Sequence, residues 1–427
     1  MPLRCSRARQ EITRDNLENL ERDTTTARTR FSPLRDFLER ESSSGILLLC
    51  AAIVGLIIAN SPLSDEYFRF LEFSFSLTPL KIDLQLTILK AINYGLMTFF
   101  FFVVGLEIKR ELTSGHLAKL RQAAAPLFAA LGGMVIPALI YLAIAGASAP
   151  QGWAIPVATD IALAVGVLVL MGSQATTALR SFLLALAVID DIGAILIIAI
   201  VFSTGLVLSW LVAAAGAVIA TLLLQRIGVV RSYVYFIVGA LMWFGLYKAG
   251  IHPTLAGVIM GLLTPATPIT GDKARDAEDI EDIEDGTLTL VEKLEGNFHG
   301  FSAFVVIPIF AFANSGVSLS VSTLAEIFTS PIAWGIICGL ALGKPLGILI
   351  ASKGASRAKV AQLPEGASTA ALVAVGSTAG IGFTVAIFIA KLAFSDPALQ
   401  DRAVSAVMVG SLISGLIGVA LFRLIRR

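Results

Sequence analysis

The sequence predicts an all-α polytopic membrane protein of about twelve transmembrane helices, with two inverted-topology repeats and two broken helices crossing at the midplane. Three observations predict it. Hydrophobic residues make up 56% of the 427-residue chain and charged residues 15%, a smaller polar share than a soluble chain of this length needs to cover its surface. Apolar runs of membrane-spanning length recur from Gly45 to the C-terminus. Charged residues stand in the middle of such runs, most plainly the adjacent Asp190 and Asp191 in LLALAVIDDIGAILIIAI. A net charge of +1 excludes the strongly basic balance of a nucleic-acid binder.

Residues 1–43 are polar and rich in Arg, with no apolar core ahead of a small-residue cleavage site. They read as a disordered cytoplasmic arm with some helix near Pro33 to Glu41, not as a signal peptide. The expected spans are 44–61, 86–108, 124–145, 152–171, 178–201, 206–224, 231–248, 251–264, 288–315, 331–351, 367–394 and 400–423. Between the first two, LEFSFSLTPLKIDLQL alternates apolar and polar residues around Thr78–Pro79, the pattern of a small extracytoplasmic β-hairpin. The loop 266–287 carries an acid run from Asp276 to Asp285 and reads as a solvated cytoplasmic linker; cation sensing is the sharper alternative. Cys5, Cys50 and Cys338 lack ligand spacing, so neither a disulfide framework nor a zinc site is expected; Cys50 and Cys338 read as small buried hydrophobes.

Orientation follows from the basic residues. One set of alternate ends holds most of them, from Lys109 and Arg110 through Lys353, Arg357 and Lys359 to Arg426 and Arg427. The other set has Arg69, Lys81, Lys90, Lys248, Lys391 and Arg402. Both termini are therefore expected in the cytoplasm.

The fourth and eleventh spans are poor continuous helices. WAIPVATDIALAV carries Pro156, Thr159 and Asp160, and VGSTAGIGFTVAIF carries Gly376, Gly380 and Gly382. Each is the middle member of a trio, and the two trios enter the membrane from opposite sides. That is the pattern of an inverted repeat whose interrupted helices meet and build an ion or substrate site. Ordinary kinked spans are the plainer alternative, but broken backbone at membrane depth is tolerated only where it is buried or lines a wet cavity.

Asp160, the Asp190–Asp191 pair and Lys344 in LALGKPLGILI are ionisable positions in mid-span. Each such charge costs about 2.5–3.5 kcal/mol at a helix centre, so four left unpaired would cost on the order of 10 kcal/mol, a whole domain's net stability. They must compensate one another. Asp160, inside one break, is suited to neutralise the partial positive charge of helix N-termini, and Lys344 the negative C-termini or Asp190. Adjacent helical residues point about 100° apart, so one aspartate can answer to the lysine while the other faces a cavity. A hard monovalent cation wants oxygen ligands, which Asp190, Asp191, the Thr159 hydroxyl and freed backbone carbonyls supply. Two close buried carboxyls resist carrying two negative charges at once, so the pair holds either protons or a cation. Such competition, presented alternately to the two faces, is sufficient for antiport. Two protons released per cation would move one net charge, which a membrane potential drives at about 2.3 kcal/mol per 100 mV.

VVGLEIKREL, VATDIALAVGV, LAVIDDIGAILIIAI, AGIHPTLAGVIMG, IPIFAFANSGV, LGKPLGI and GIGFTVAIFIAKLAF together resemble the NhaA family of bacterial sodium/proton antiporters, over residues 44–425. Inverted repeats are an already described attribute of that family. The resemblance implies a secondary transporter, not an enzyme, in the bacterial inner membrane, exporting Na+ or Li+ against external H+ for pH and sodium homeostasis, with no cofactor beyond the transported ions. It implies Asp190 and Asp191 as ion and proton carriers, Thr159 and Asp160 at the first crossing, and Lys344 as the intramembrane base. It also implies a cytoplasmic funnel whose pH response involves Glu107, Arg110, Glu111, Glu295, His299 and His252, and a homodimer joined through the outward hairpin near residues 72–84. Gly296 stands where the best-known members have a histidine, and Tyr94 where an acid can occur.

Plainer readings stand beside these. His252 before Pro253 fits an interfacial histidine, Glu107 to Glu111 a solvated charge cluster, and the small-residue spacing in GLALGKPLG and GVIMG close helix packing. An intramembrane aspartyl protease also needs buried carboxylates, but Lys344 would disturb their shared proton and the trios would go unexplained. A sodium-coupled symporter or a cation channel of related architecture is the alternative transport reading.

Overall fold

The computed structural model describes residues 41–76, 85–171, 176–203, 205–229, 232–266, 289–318, 329–364 and 367–425. The N-terminal arm up to residue 40, the turn of the expected hairpin and the acid-rich loop from 267 lie outside the described residues.

Helix α1 (Glu41–Ala59) is followed by α2 (Ser64–Glu72), bent 112° away from it. The amphipathic pattern of α2 explains the bend: it buries Tyr67 and Leu71 and leaves Phe70 exposed. The Tyr67 hydroxyl ties it down by donating to the Phe312 carbonyl at 2.7 Å. Strands β1 (Ser74–Ser76) and β2 (Gln85–Thr87) then pair antiparallel, Phe75 opposite Leu86. Cys50, expected to be buried, is exposed on α1.

The remaining helices are α3 (Ile88–Thr113), α4 (Leu120–Ala145), α5 (Ile161–Leu170), α6 (Thr177–Val201), α7 (Leu208–Ile227), α8 (Ser232–Lys248), α9 (Leu255–Leu263), α10 (Leu290–Asn314), α11 (Pro331–Arg357), α12 (Thr369–Ala379), α13 (Phe383–Ala393) and α14 (Pro397–Ile425). Among the described residues eight helices are long and apolar enough to cross a membrane, or ten if each of two bent pairs is one span. The expectation of about twelve exceeds this by two: α8, whose 17 residues stand at the lower end of spanning length, and α9, which has only nine. A nine-residue helix rises about 14 Å, half a hydrocarbon core. The apolar run 251–264 begins with a turn through His252 and Pro253, and hydropathy does not register where a helix starts.

Glycines set the closest helix approaches. A Cβ on Gly132 of α4 would lie 2.3 Å from the Gly347 carbonyl oxygen of α11, and one on Gly347 would lie 2.1 Å from that of Gly132. Only backbone against backbone fits there, the small-residue packing expected of GLALGKPLG. Gly257 of α9 likewise sits against the Thr98 carbonyl of α3. A π-helical turn, Gly339–Gly343, interrupts α11 directly before Lys344, a device common at functional sites.

Both expected breaks are present. A 3-10 helix, Pro150–Val157, gives way to extended backbone at Ala158 and Asp160 before α5 begins. Helices α12 and α13 are bent 52° across residues 380–382. A Cβ at Gly380 would lie 2.4 Å from the Leu340 carbonyl, so the second break can seat itself against α11 only with glycine there.

Candidate functional site

The two breaks touch through their backbones and through two side chains of the first. The Asp160 amide donates to the Ile381 carbonyl at 2.7 Å. Asp160 Oδ1 accepts from the Leu163 amide at 3.1 Å, capping α5, while Oδ2 accepts from the Thr384 amide at 3.0 Å and hydroxyl at 2.6 Å. One buried carboxylate thus serves the N-terminal ends of two helices, where unsatisfied amides and the helix dipole favour negative charge. Thr159 Oγ1 lies 2.8 Å from the Ala379 carbonyl, at the C-terminal end of α12, and 2.6 Å from Asp190 Oδ2. With one proton, the hydroxyl donates to one of them at a time.

Lys344 comes from α11, directly after its π-helical turn. Its ammonium donates to the Val157 carbonyl, at the C-terminal end of the 3-10 helix, and to Asp190 Oδ2 at 2.5 Å. Both side chains of this ion pair are fully buried. The structure therefore brings Thr159, Asp160, Asp190 and Lys344 together at one junction. Asp191 is the next residue on α6 and makes none of these contacts, and it retains 5% exposure where Asp190 has none. Oδ1 of Asp190 and Oδ1 of Asp191 are buried with no hydrogen-bond partner among the described residues. Buried acceptors are rarely left so, and hard oxygens in this state suit a proton or a small cation.

A second cluster joins the end of α3 to the start of α10. A capping box, Thr289 with Glu292, starts α10 by exchanging bonds of 3.3 and 2.9 Å. One turn on, the Arg110 guanidinium donates to the buried Glu295 carboxylate and lies 3.7 Å from Glu111. His299 Nδ1 lies 3.4 Å from Glu107, an ion pair when the imidazole is protonated. Five of the six residues for which the family resemblance implied a pH response thus meet here. His252 does not: it is buried apart, Nδ1 2.7 Å from Thr254 Oγ1, its ring edge-on to Tyr94 and Phe388 at 5.1 and 5.0 Å.

Sequence reasoning missed Thr384, which supplies two of the donors on Asp160. Its signal was available: a hydroxyl residue two positions after Gly382, in the first turn of a helix that restarts mid-span. The Val157, Ala379 and Ile381 carbonyls had none, since every residue carries one.

The model of the family described as Na+/H+ antiporter 1 matches residues 35–422. A relative from Janthinobacterium sp. (strain Marseille), named Na(+)/H(+) antiporter NhaA, is 42% identical over 94% of this chain and 95% of its own. Proteins of the same name from Escherichia coli O1:K1 / APEC and Shewanella loihica are 45% and 44% identical, over 91% and 90% of this chain and 97% and 95% of theirs. With a family match over most of its length, and relatives this similar along nearly their whole chains, this multi-pass chain belongs to the NhaA family of Na+/H+ antiporters.

Proposed function

We propose that the chain exports Na+ or Li+ in electrogenic exchange for external H+, by alternating access to a site made by Asp190, Asp191 and Thr159. The observation that carries this reading is the junction itself: Asp190 is held on one oxygen by Lys344 and Thr159, while the other oxygen and one of Asp191 are buried without partners. A cation arriving at Asp190 competes with the Lys344 ammonium for one carboxylate, and at Asp191 with a proton. Discharging both would release two positive charges for one taken up, so each cycle would move net charge and respond to membrane potential.

Asp160 and Lys344 compensate the helix ends exposed by the two breaks, Asp160 at the amides of α5 and α13 and Lys344 at the carbonyl end of the 3-10 helix. The two interrupted trios form inverted repeats that rock about this crossing. The Glu107, Arg110, Glu111, Glu295 and His299 cluster tunes pH response from the cytoplasmic funnel, and His252 contributes from the wall beside α13. Both termini face the cytoplasm, the membrane is the bacterial inner membrane, and two copies associate through the hairpin near residues 72–84.

Everted vesicles test the core of this reading. Na+ added to vesicles holding a proton gradient collapses it across about pH 6.5 to 9 in the expected result; no response anywhere in that range refutes antiport. Reversal potentials in proteoliposomes with independently set Na+ and H+ gradients give the stoichiometry, and an exchange whose direction no imposed membrane potential reverses refutes electrogenic exchange.

A further inference from the structure

The break between α12 and α13 has two sides, and the first break satisfies only one of them. On that side Thr159 and Asp160 serve the Ala379 and Ile381 carbonyls and the Thr384 amide. The other side faces α14. There Ser411 Oγ accepts from the Gly382 and Phe383 amides, each at 3.2 Å, and Ser414 Oγ donates to the Ser377 carbonyl at 2.8 Å. Ser411 and Ser414 stand three apart on one helix face, about 4.5 Å along its axis. One hydroxyl therefore acts as acceptor for the opening of α13 and the other as donor to the close of α12. Both are buried, and a Cβ on Gly380 would lie 2.2 Å from Ser414 Oγ, so the break is seated directly on this pair.

We propose that Ser411 and Ser414 are positioning residues for ion exchange: they hold the second break at the height where Asp160 and Thr159 engage it, and so fix Thr159 against Asp190. The inference rests on reading Asp190 and Asp191 as the exchange site. Without the Ser411 hydroxyl, the Gly382 and Phe383 amides are buried donors lacking an acceptor, a state the fold avoids by moving. The acceptor one residue further into α13 is the Asp160 carboxylate, already engaged by Thr384 and Leu163. Any shift of the helix end towards it displaces Asp160, and with it the adjacent Thr159 hydroxyl, 2.6 Å from Asp190.

The test uses the purified full chain in proteoliposomes, measuring KM for Na+ and maximal rate per folded protein across pH. Ser411→Ala is expected to raise the Na+ KM about threefold to tenfold, the scale of one misplaced hydrogen bond, with the maximal rate kept within about twofold. Ser411→Thr, which keeps the hydroxyl, is expected to return KM to within about twofold of the unaltered protein. Ser414→Ala leaves the amide acceptor in place and is expected to raise KM about threefold; it decides the matter if Ser411→Ala does not fold. Unaltered KM and pH profile in Ser411→Ala and Ser414→Ala, with only yield or thermal stability reduced, overturns the proposal. Asp191→Asn runs in the same assay. Activity equal to the unaltered protein there overturns the site reading itself, whereas an inactive Asp191→Asn beside unaffected serine variants overturns the positioning role alone.

Discussion

Removing the Lys344 ammonium while leaving Asp190 in place is the sharpest test of how the junction is held together. The two groups are 2.5 Å apart and both side chains are fully buried, so neither has water to fall back on. Lys344→Ala would leave Asp190 with the Thr159 hydroxyl as its remaining donor and take the ammonium from the Val157 carbonyl. Breaking a buried pair from one side costs about 3–5 kcal/mol, most of it the penalty of the charge left behind. At about 2 °C per kcal/mol for a chain of this size, the midpoint of thermal unfolding in detergent should fall by roughly 6–10 °C. The same reasoning makes the double variant Lys344→Ala with Asp190→Asn milder than the single one, because the orphaned charge is gone; it should recover about 2 kcal/mol. Thermal unfolding followed by intrinsic tryptophan fluorescence on wild-type, both single and the double variants gives the cycle directly. Strict additivity, or a Lys344→Ala midpoint matching wild-type, would refute the compensated-pair argument.

Asp160→Ala deprives the Leu163 amide and both Thr384 donors of their acceptor, so Na+-driven collapse of the proton gradient should fall at least about tenfold, while Asp160→Asn, keeping one oxygen, should lose less; equal losses would count against the capping role. Gly347→Ala forces a Cβ to 2.1 Å from the Gly132 carbonyl and should lower the unfolding midpoint. Gly216→Ala, in an α7 position with nothing within 4 Å, should be neutral or stabilise by up to about 1 kcal/mol. Reversing one member of the Arg110–Glu295 pair should distort the pH profile of exchange, and the swap Arg110→Glu with Glu295→Arg should restore it towards wild-type; a swap no better than either single change would mean the pair does not act through its mutual charge.

Much of the architecture is legible in the sequence because the bilayer makes some costs local. Lipid penalises a charge wherever the helix carries it, so Asp160, Asp190, Asp191 and Lys344 announce themselves without neighbours in view. Pro156 and the glycines at 376, 380 and 382 interrupt helices through their own backbone chemistry, so both breaks can be placed to within a few residues. The small-residue spacing of GLALGKPLG reads as close packing for a similarly local reason, since only glycine removes the side chain that separates two backbones.

What the tertiary structure alone decided is which groups meet. Lys344 meets Asp190, as expected, and at the same time the Val157 carbonyl, so the two roles expected as alternatives are filled together, and only packing brings the Thr159 hydroxyl to the same Asp190 oxygen. The Val157, Ala379 and Ile381 carbonyls, and the serines of α14 behind the second break, acquire roles only because folding leaves them facing unsatisfied polar groups. His252 and Glu295 enter the sequence reading together yet lie in separate surroundings, one against Tyr94 and Phe388, the other under Arg110. Composition and breakers are properties of the residue itself. Partnership is a property of the space between helices, and only packing defines that space.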